Sequence, residues 1–363
     1  MAALRQTIGG RHPPADARRR SPFTRRPGIR LLWAIMAVLV VLYLLHSAIG
    51  LGGPGSNSFF DRWLNDGLLW LSAFACLAGA LRQSRGRVAW LLVSFALASW
   101  ATGDTVFSIR YGNAASIPAA SISDVFWLAW YPLVVAALAL LVHDRVPGFD
   151  LPRFIDGIAV MLLVATPWVA LFLEPVVEHS GSSKLAQALD FAYPLGDAVL
   201  FGATIGVFAI MAWRPSRMWV ALGLALLVMG LADAFYSVDA TGHAHDHGIY
   251  DVAWVGGAAL VAFASWEPHP GQLAPRRATG WPAIALPLAI QALAASIQLY
   301  AFFHEIPRSE RILTVIVLLI AMFQIVLARP RPGLEKASDS DLLSAANSRD
   351  PPSERASGQP RPP

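Results

Sequence analysis

Long apolar stretches separated by short charged clusters constrain this chain more than any other feature of its sequence. Of its 363 residues, 55% are hydrophobic and 14% are charged, a composition typical of proteins dissolved in lipid. A helix needs roughly 17 to 25 mainly apolar residues to cross a hydrocarbon core of about 30 Å. We therefore predict an all-α, polytopic transmembrane helical bundle without a catalytic domain of its own.

Ten stretches meet this length requirement. They cover residues 30–50, 64–82, 88–109, 122–143, 154–174, 186–213, 217–238, 249–267, 281–303 and 310–328. The first lacks a small-residue cleavage site, so we expect it to remain as an anchor helix. Residues 1–29 are rich in Arg, Pro and Gly, and residues 330–363 in Pro, Ser, Asp and Arg. Such segments predict disordered cytoplasmic tails around a transmembrane domain of residues 30–329.

The positions of Lys and Arg predict the orientation, because cationic loops stay on the cytoplasmic side. With an internal N-terminus, the external segments hold five of the 28 Lys and Arg residues: Arg62, Arg110, Lys184, Arg308 and Arg311. Ten spans then place both termini inside a bacterial plasma (inner) membrane. The positive charge is explained by topology and by attraction to the lipid bilayer, so no nucleic-acid partner is predicted. Nothing in the sequence indicates a cofactor or fixes the oligomeric state.

Two short patterns occur twice along the chain. Residues 103–107 (GDTVF), near the end of the third span, parallel residues 232–236 (ADAFY), near the end of the seventh. Residues 123–127 (SDVFW), at the start of the fourth span, parallel residues 250–254 (YDVAW), at the start of the eighth. An offset of four helices preserves orientation, so the pattern predicts a parallel internal repeat of helices 3–4 and 7–8.

Aspartates within the predicted spans are the leading functional candidates, because a carboxylate in lipid must face the bundle interior, pair or take part in function. Six lie within or at the ends of spans: Asp104, Asp124, Asp190, Asp197, Asp233 and Asp251. All except the deeper Asp197 fall toward the external side, where they are positioned to line an outward-opening acidic cup. Five are followed three positions on by an aromatic residue, a spacing that puts acid and ring on one helical face: Phe107, Trp127, Tyr193, Tyr236 and Trp254.

The competing interpretation of these acids is structural. A carboxylate near a helix N-terminus, such as Asp124 or Asp251, caps free amides. Capping does not explain Asp104 and Asp233, near helix C-termini, where a ligand, cation or proton contact competes with an interhelical hydrogen bond. We take as the candidate ligand site Asp104, Asp124, Asp197, Asp233, Asp251, Tyr236, Trp127 and Trp254.

Three alternating histidines, His243, His245 and His247, fall in a predicted external loop. Imidazoles in such an arrangement can bind Zn, Ni or Cu. A solvated polar loop is the competing interpretation, and it is favoured because the loop offers no fixed fourth ligand.

The ordered motifs together resemble the N-terminal multi-helix membrane sensory region of actinobacterial GGDEF and GGDEF-EAL proteins, which make or break cyclic di-GMP. The shared elements are Gly103-Asp104 with Phe107, residues 123–133 (SDVFWLAWYPL), Asp156, residues 192–197 (AYPLGD), Asp233 with Tyr236, and Asp251 with Trp254. The resemblance covers about residues 60–268 and implies a membrane part that senses a signal for a cytoplasmic output domain. After the last predicted span the sequence shows no GGDEF or Glu-x-Leu motif. We therefore expect signalling through a cytoplasmic or membrane partner.

These observations favour an integral membrane sensory module that binds a small polar ligand or cation at the acidic and aromatic site. The alternative is a secondary transporter of a cation or small polar solute, which parallel repeats and Asp197 near the midplane favour. An intramembrane aspartyl protease is a weaker third alternative, since Pro194 and Leu195 depart from its Gly-x-Gly-Asp motif.

Overall fold

The computed structural model describes residues 27–114, 118, 120–145, 183–211, 215–239 and 249–268, together with residues 292 and 296. These residues belong to one structural unit. The described part is helical throughout and contains no strand, which confirms the all-α prediction there. Predicted spans 154–174, 281–303 and 310–328 and the tail at 330–363 lie outside the described residues, apart from the two isolated positions.

The described helices follow the predicted spans closely. They are α1 (Pro27–Ile49), α2 (Asn65–Arg82), α3 (Arg87–Tyr111), α4 (Ser123–Leu128), α5 (Trp130–Arg145), α6 (Lys184–Ile210), α7 (Arg217–Asp239) and α8 (Ile249–Trp266). A 3-10 turn over Pro54–Ser56 and a π-helical turn over Phe59–Leu64 precede α2. Helix α1 begins at Pro27 rather than at residue 30, because a proline is well accommodated in a first helical turn.

Six helical segments of the described part are long and apolar enough to cross a membrane. They are Pro27–Ile49, Phe59–Arg82, Arg87–Tyr111, Ser123–Arg145, Lys184–Phe208 and Arg217–Tyr236. Each coincides with a span predicted from the sequence. The chain therefore carries the helices of a membrane protein.

A break at Ala129 divides the Ser123–Arg145 segment into α4 and α5. Pro132 lies in the first turn of α5 and has no amide hydrogen for the carbonyl of Leu128, which ends α4. Proline tolerates a first turn but disrupts a continuous helix. The break separates Trp127 from Tyr131, two side chains that bind different aspartates.

Helix α2 packs against α3 and α8, and small residues allow the close approach to α8. A Cβ added to Gly79 would overlap the Ser265 side chain, so only glycine fits at this crossing. The Trp266 indole N–H donates to the carbonyl of Ala75 at 2.8 Å. Gln83 donates to the carbonyls of Ser265 and Glu267 at 2.7 and 3.1 Å. These contacts join the ends of α2 and α8 that are predicted to be cytoplasmic.

Helix α1 is the least buried of the six membrane-length segments, since 17% of the residues in its apolar stretch are buried. Its buried residues are Ile29, Met36, Tyr43 and His46, which form one narrow face at helical spacing. The two polar members both fall toward the end predicted to be external. This polar end of an otherwise apolar helix faces the acids described below.

Candidate ligand site

Asp104 joins three helices through its two carboxylate oxygens. Oδ1 accepts a hydrogen bond from the Trp127 indole N–H at 2.6 Å, and Oδ2 accepts one from the Asn65 amide at 2.9 Å. Asp104 lies on α3, Trp127 on α4 and Asn65 on α2. The carboxylate therefore holds both neighbouring helices to α3.

Gly103 makes room for this arrangement. A Cβ at this position would lie 2.7 Å from Cδ1 and from Nε1 of Trp127, closer than two non-bonded atoms can approach. The ring of Phe107, one turn further along α3, packs against Trp127 with centroids 5.5 Å apart. The motif at residues 103–107 thus supplies space, an acceptor and a ring for one indole.

The second copy of the motif makes the same contacts. The Trp254 indole N–H on α8 donates to Oδ1 of Asp233 on α7 at 2.8 Å. The ring of Tyr236 packs edge-on against Trp254 with centroids 5.4 Å apart. Both sequence copies therefore fasten one helix to the next by an aspartate and an indole.

Asp124 makes one local hydrogen bond and one interhelical hydrogen bond. Its Oδ2 accepts the backbone N–H of Ser121, two residues before α4, at 2.6 Å. Its Oδ1 accepts the hydroxyl of Tyr193, on α6, at 2.7 Å. A carboxylate near a helix N-terminus is a good acceptor for both partners.

Asp197 and Asp233 form a carboxyl pair between α6 and α7. Asp197 is 6% exposed, accepts the Tyr131 hydroxyl at 2.9 Å, and lies close to the Asp233 carboxyl group. A Cβ at Gly196 would lie 2.5 Å from the Tyr131 ring, which explains glycine before this aspartate.

Two tyrosines, Tyr193 and Tyr43, each lie near several of these acids. Tyr193 lies within electrostatic range of Asp104, Asp124 and Asp233. Tyr43, on α1, lies within electrostatic range of four aspartates: Asp61, Asp66, Asp104 and Asp251. Four of the candidate aspartates thus make side-chain contacts between helices of the described bundle.

Several members of this cluster were not predicted: Tyr43, His46, Asn65, Asp66 and Tyr131. Asn65 and Asp66 open a predicted span and Tyr43 interrupts an apolar one, so each was visible as a polar residue in a hydrophobic stretch. Tyr131 lies inside a motif that was recognised for other reasons. None of them shows from the sequence which acid it approaches.

The structure describes the candidate residue Asp251 but not the three candidate histidines. Asp251 lies in the first turn of α8, half-buried and within electrostatic range of Asp104. His243, His245 and His247 lie outside the described residues, so the metal-binding prediction stays a prediction. Within the described ranges, no three His, Cys, Asp or Glu side chains gather closely enough to hold a metal ion.

Comparison of the chain with protein-family models, with curated proteins and with solved structures finds no match.

Proposed function

We propose that this chain is a sensory module of the bacterial plasma membrane, which it crosses ten times with both termini in the cytoplasm. It binds a small polar ligand or cation at the external acidic and aromatic cluster and has no catalytic output of its own. One observation carries the proposal. Four of the five candidate aspartates accept a hydrogen bond from a side chain on another helix.

These interhelical hydrogen bonds are weak compared with the binding free energy of a typical ligand. Interhelical hydrogen bonds within membranes contribute about 0.6 kcal/mol on average and rarely above about 2 kcal/mol. A ligand with micromolar affinity supplies about 8 kcal/mol. A cationic or donor-rich ligand can therefore replace Trp127 and Asn65 on Asp104, releasing α4 and α2 from α3. The resulting change in helix packing is the signal.

A signal of this kind needs a receiver, and the resemblance to GGDEF-associated membrane regions supports a cytoplasmic or membrane signalling partner. A neighbouring reading frame for a GGDEF or kinase domain would identify a candidate. Co-purification of that protein with the full chain tests the pairing.

A thermal shift experiment on the purified full chain tests the sensing site. The probes are sodium, potassium, ammonium and small primary amines at matched ionic strength. Asp104→Asn and Asp233→Asn should abolish the shift produced by any probe that stabilises the wild type. Asp144→Asn changes an exposed carboxylate at the far end of α5 and should keep the shift. A shift that persists unchanged in both site variants would show that this cluster is not the ligand site.

The second candidate function is proton-coupled transport, which the Asp197–Asp233 pair favours. Acidic side chains buried close together between two helices are typical of proton and cation pathways in transporters. Flux of cations or amines into proteoliposomes discriminates the two functions, because a sensor shows none. If flux occurs, Asp197→Asn should abolish it, whereas Asp144→Asn should not.

A further inference from the structure

A groove with a volume of about 610 Å³ runs between α1 on one side and α7 and α8 on the other. Its walls include Met36 and Leu44 of α1, Val228 of α7 and Leu260 of α8. No lining residue carries a charge or a hydroxyl group. The α1 wall belongs to the membrane-length apolar segment Pro27–Ile49, so the groove lies at the depth of the hydrocarbon core. Bound water needs about two to four polar partners, which this lining does not offer.

Aromatic contacts hold α1 at both ends of this α1–α8 groove. Toward one end, the ring of Trp33 packs edge-on against Phe263 and Trp266 of α8, with centroids 5.4 and 6.4 Å apart. Toward the other end, the ring of Tyr43 stacks on Phe60 at 6.5 Å. Helix α1 is therefore fixed at two points with the groove between them.

Gly256 shows that α1 and α8 do not pack tightly between these two points. A Cβ at Gly256 would meet Val40 at 3.9 Å and no other described atom within 4 Å. At the α2–α8 crossing, by contrast, a Cβ on Gly79 would overlap the Ser265 side chain. Glycine permits close packing at one crossing, whereas at position 256 it widens the groove.

The groove is too narrow for a further helix. It extends from Trp33 to Leu44, about 16 Å along the axis of α1. Its volume of about 610 Å³ then gives a mean cross-section of about 40 Å². A helix with a diameter of about 10 Å needs about 80 Å². The groove therefore excludes another span of this chain or of a second copy and suits an extended hydrocarbon chain.

The Trp33 end of the groove is cationic. Trp33 contacts Trp266, and the guanidinium of Arg82 lies over the Trp266 ring, with Cζ 4.8 Å from its centroid. Glu267, the next residue of α8, lies 3.9 Å from the guanidinium of Arg217, so its charge is balanced by that arginine. Arg82 therefore places a positive charge beside this end, which is predicted to be cytoplasmic.

The opposite end of the groove is acidic. Asp251, in the first turn of α8, directly precedes Val252, which lines the groove. An anionic group is repelled there and attracted to Arg82, whose guanidinium is a good partner for phosphate. An apolar chain with an anionic group at its cytoplasmic end has the chemistry of an inner-leaflet phospholipid.

We propose that the α1–α8 groove binds an acyl chain of an anionic phospholipid whose phosphate pairs with Arg82. A hydrocarbon without a headgroup complements the lining but not the arginine. A phospholipid of zero net charge gains less from Arg82, because a cationic side chain near the membrane surface favours anionic lipids. The site is separate from the hydrogen-bonded aspartates and does not depend on the proposed sensing function.

Native mass spectrometry of the detergent-solubilised full chain tests the site, with phosphatidylglycerol and phosphatidylcholine of identical acyl chains as probes. We expect one tightly bound phosphatidylglycerol per chain, with an affinity about fivefold higher than that of phosphatidylcholine. Equal affinities for the two lipids would overturn the pairing with Arg82. Absence of any tightly bound lipid would overturn the whole proposal.

Gly256→Leu fills the groove and should lower the affinity for phosphatidylglycerol by about tenfold or more, since it displaces several buried methylene groups. Gly67→Leu is the matched control, because it adds the same side chain at an exposed position of α2 and should bind as the wild type does. Ala37→Leu adds bulk at an exposed position of the groove wall and gives the same test if Gly256→Leu does not fold. Unchanged affinity in the folded groove variants would contradict binding in the groove.

Arg82→Gln should remove the preference for phosphatidylglycerol over phosphatidylcholine and keep the affinity for phosphatidylcholine. Arg85→Gln removes the same charge three residues later, in the loop that follows α2, and should keep most of the preference. An equal loss in both variants would assign the preference to the general surface charge and overturn the pairing with Arg82.

Discussion

The indole Nε1 of Trp254 lies 2.8 Å from Oδ1 of Asp233, and Nε1 of Trp127 lies 2.6 Å from Oδ1 of Asp104. In each pair the aspartate stands near the end of one helix, and the tryptophan stands within the first six residues of the next described helical segment, Ser123–Arg145 or Ile249–Trp266. The acceptor is a carboxyl oxygen of an aspartate in both cases, and the donor is an indole N–H. The two pairs are equivalent interhelical contacts, and the proposed ligand would change helix packing at one or both of them.

Trp127→Phe and Trp254→Phe should both destabilise the protein. Phenylalanine keeps an aromatic ring but leaves Oδ1 of the facing aspartate without its donor, at a cost of about 1–3 kcal/mol. The free energy of unfolding in mixed micelles measures the loss. Trp63→Phe, at a position 64% exposed, is the matched control and should change little. Equal stability of all three variants would show that the indole bonds contribute nothing.

Exchanging Asn65 and Asp104 should restore the hydrogen bond between these two side chains, which either single change weakens. Asp104→Asn alone leaves a weaker bond between two neutral amides, and Asn65→Asp alone places two acids together without a donor between them. In the double variant the new amide at position 104 donates to the new carboxylate at position 65, and the amide carbonyl still accepts from Trp127. A double-mutant cycle of unfolding free energies should give a favourable coupling of about 0.5–3 kcal/mol. Additive losses would contradict the hydrogen bond between residues 65 and 104.

Gly103→Ala should lower stability although alanine is the better helix former. The added methyl meets the Trp127 indole and the carbonyl of Ser123, at 2.7 and 3.2 Å. Gly67→Ala is the matched control, because a Cβ at Gly67 of α2 meets nothing within 4 Å and should stabilise its helix by up to about 1 kcal/mol. Opposite signs for the two thermal midpoint changes are expected. A stabilising Gly103→Ala would mean that the indole does not lie against α3.

Hydropathy predicted the helices well because the length of an apolar stretch is a local property. The span predicted at 88–109 became Arg87–Tyr111, and the span at 217–238 became Arg217–Asp239. The break at Ala129 was less visible, although Pro132 was the signal for it. The ten-span count and the orientation stay predictions.

The partners of the acids could not be predicted in the same way. The three-residue spacing associates Asp124 with Trp127, yet the Trp127 indole binds Asp104 and Asp124 binds Tyr193. Which carboxylate a ring reaches depends on how helices pack, and the small residues Gly103 and Gly196 determine that. Sequence spacing therefore identified the polar and aromatic residues of the cluster but not their pairs.

The most direct measurement follows the indole of Trp127 in the full chain labelled with 5-fluorotryptophan. The chain has 13 tryptophans, and the ¹⁹F signals of Trp127, Trp254 and Trp219 are assigned by single substitution to phenylalanine. Trp219 is 1% exposed and its Nε1 makes no hydrogen bond, so it reports on the core alone. We predict that a saturating probe which stabilises the wild type moves the signal of Trp127, of Trp254 or of both, and leaves that of Trp219 in place. Bound probe with both site signals unmoved would contradict ligand control of the aspartate–indole bonds.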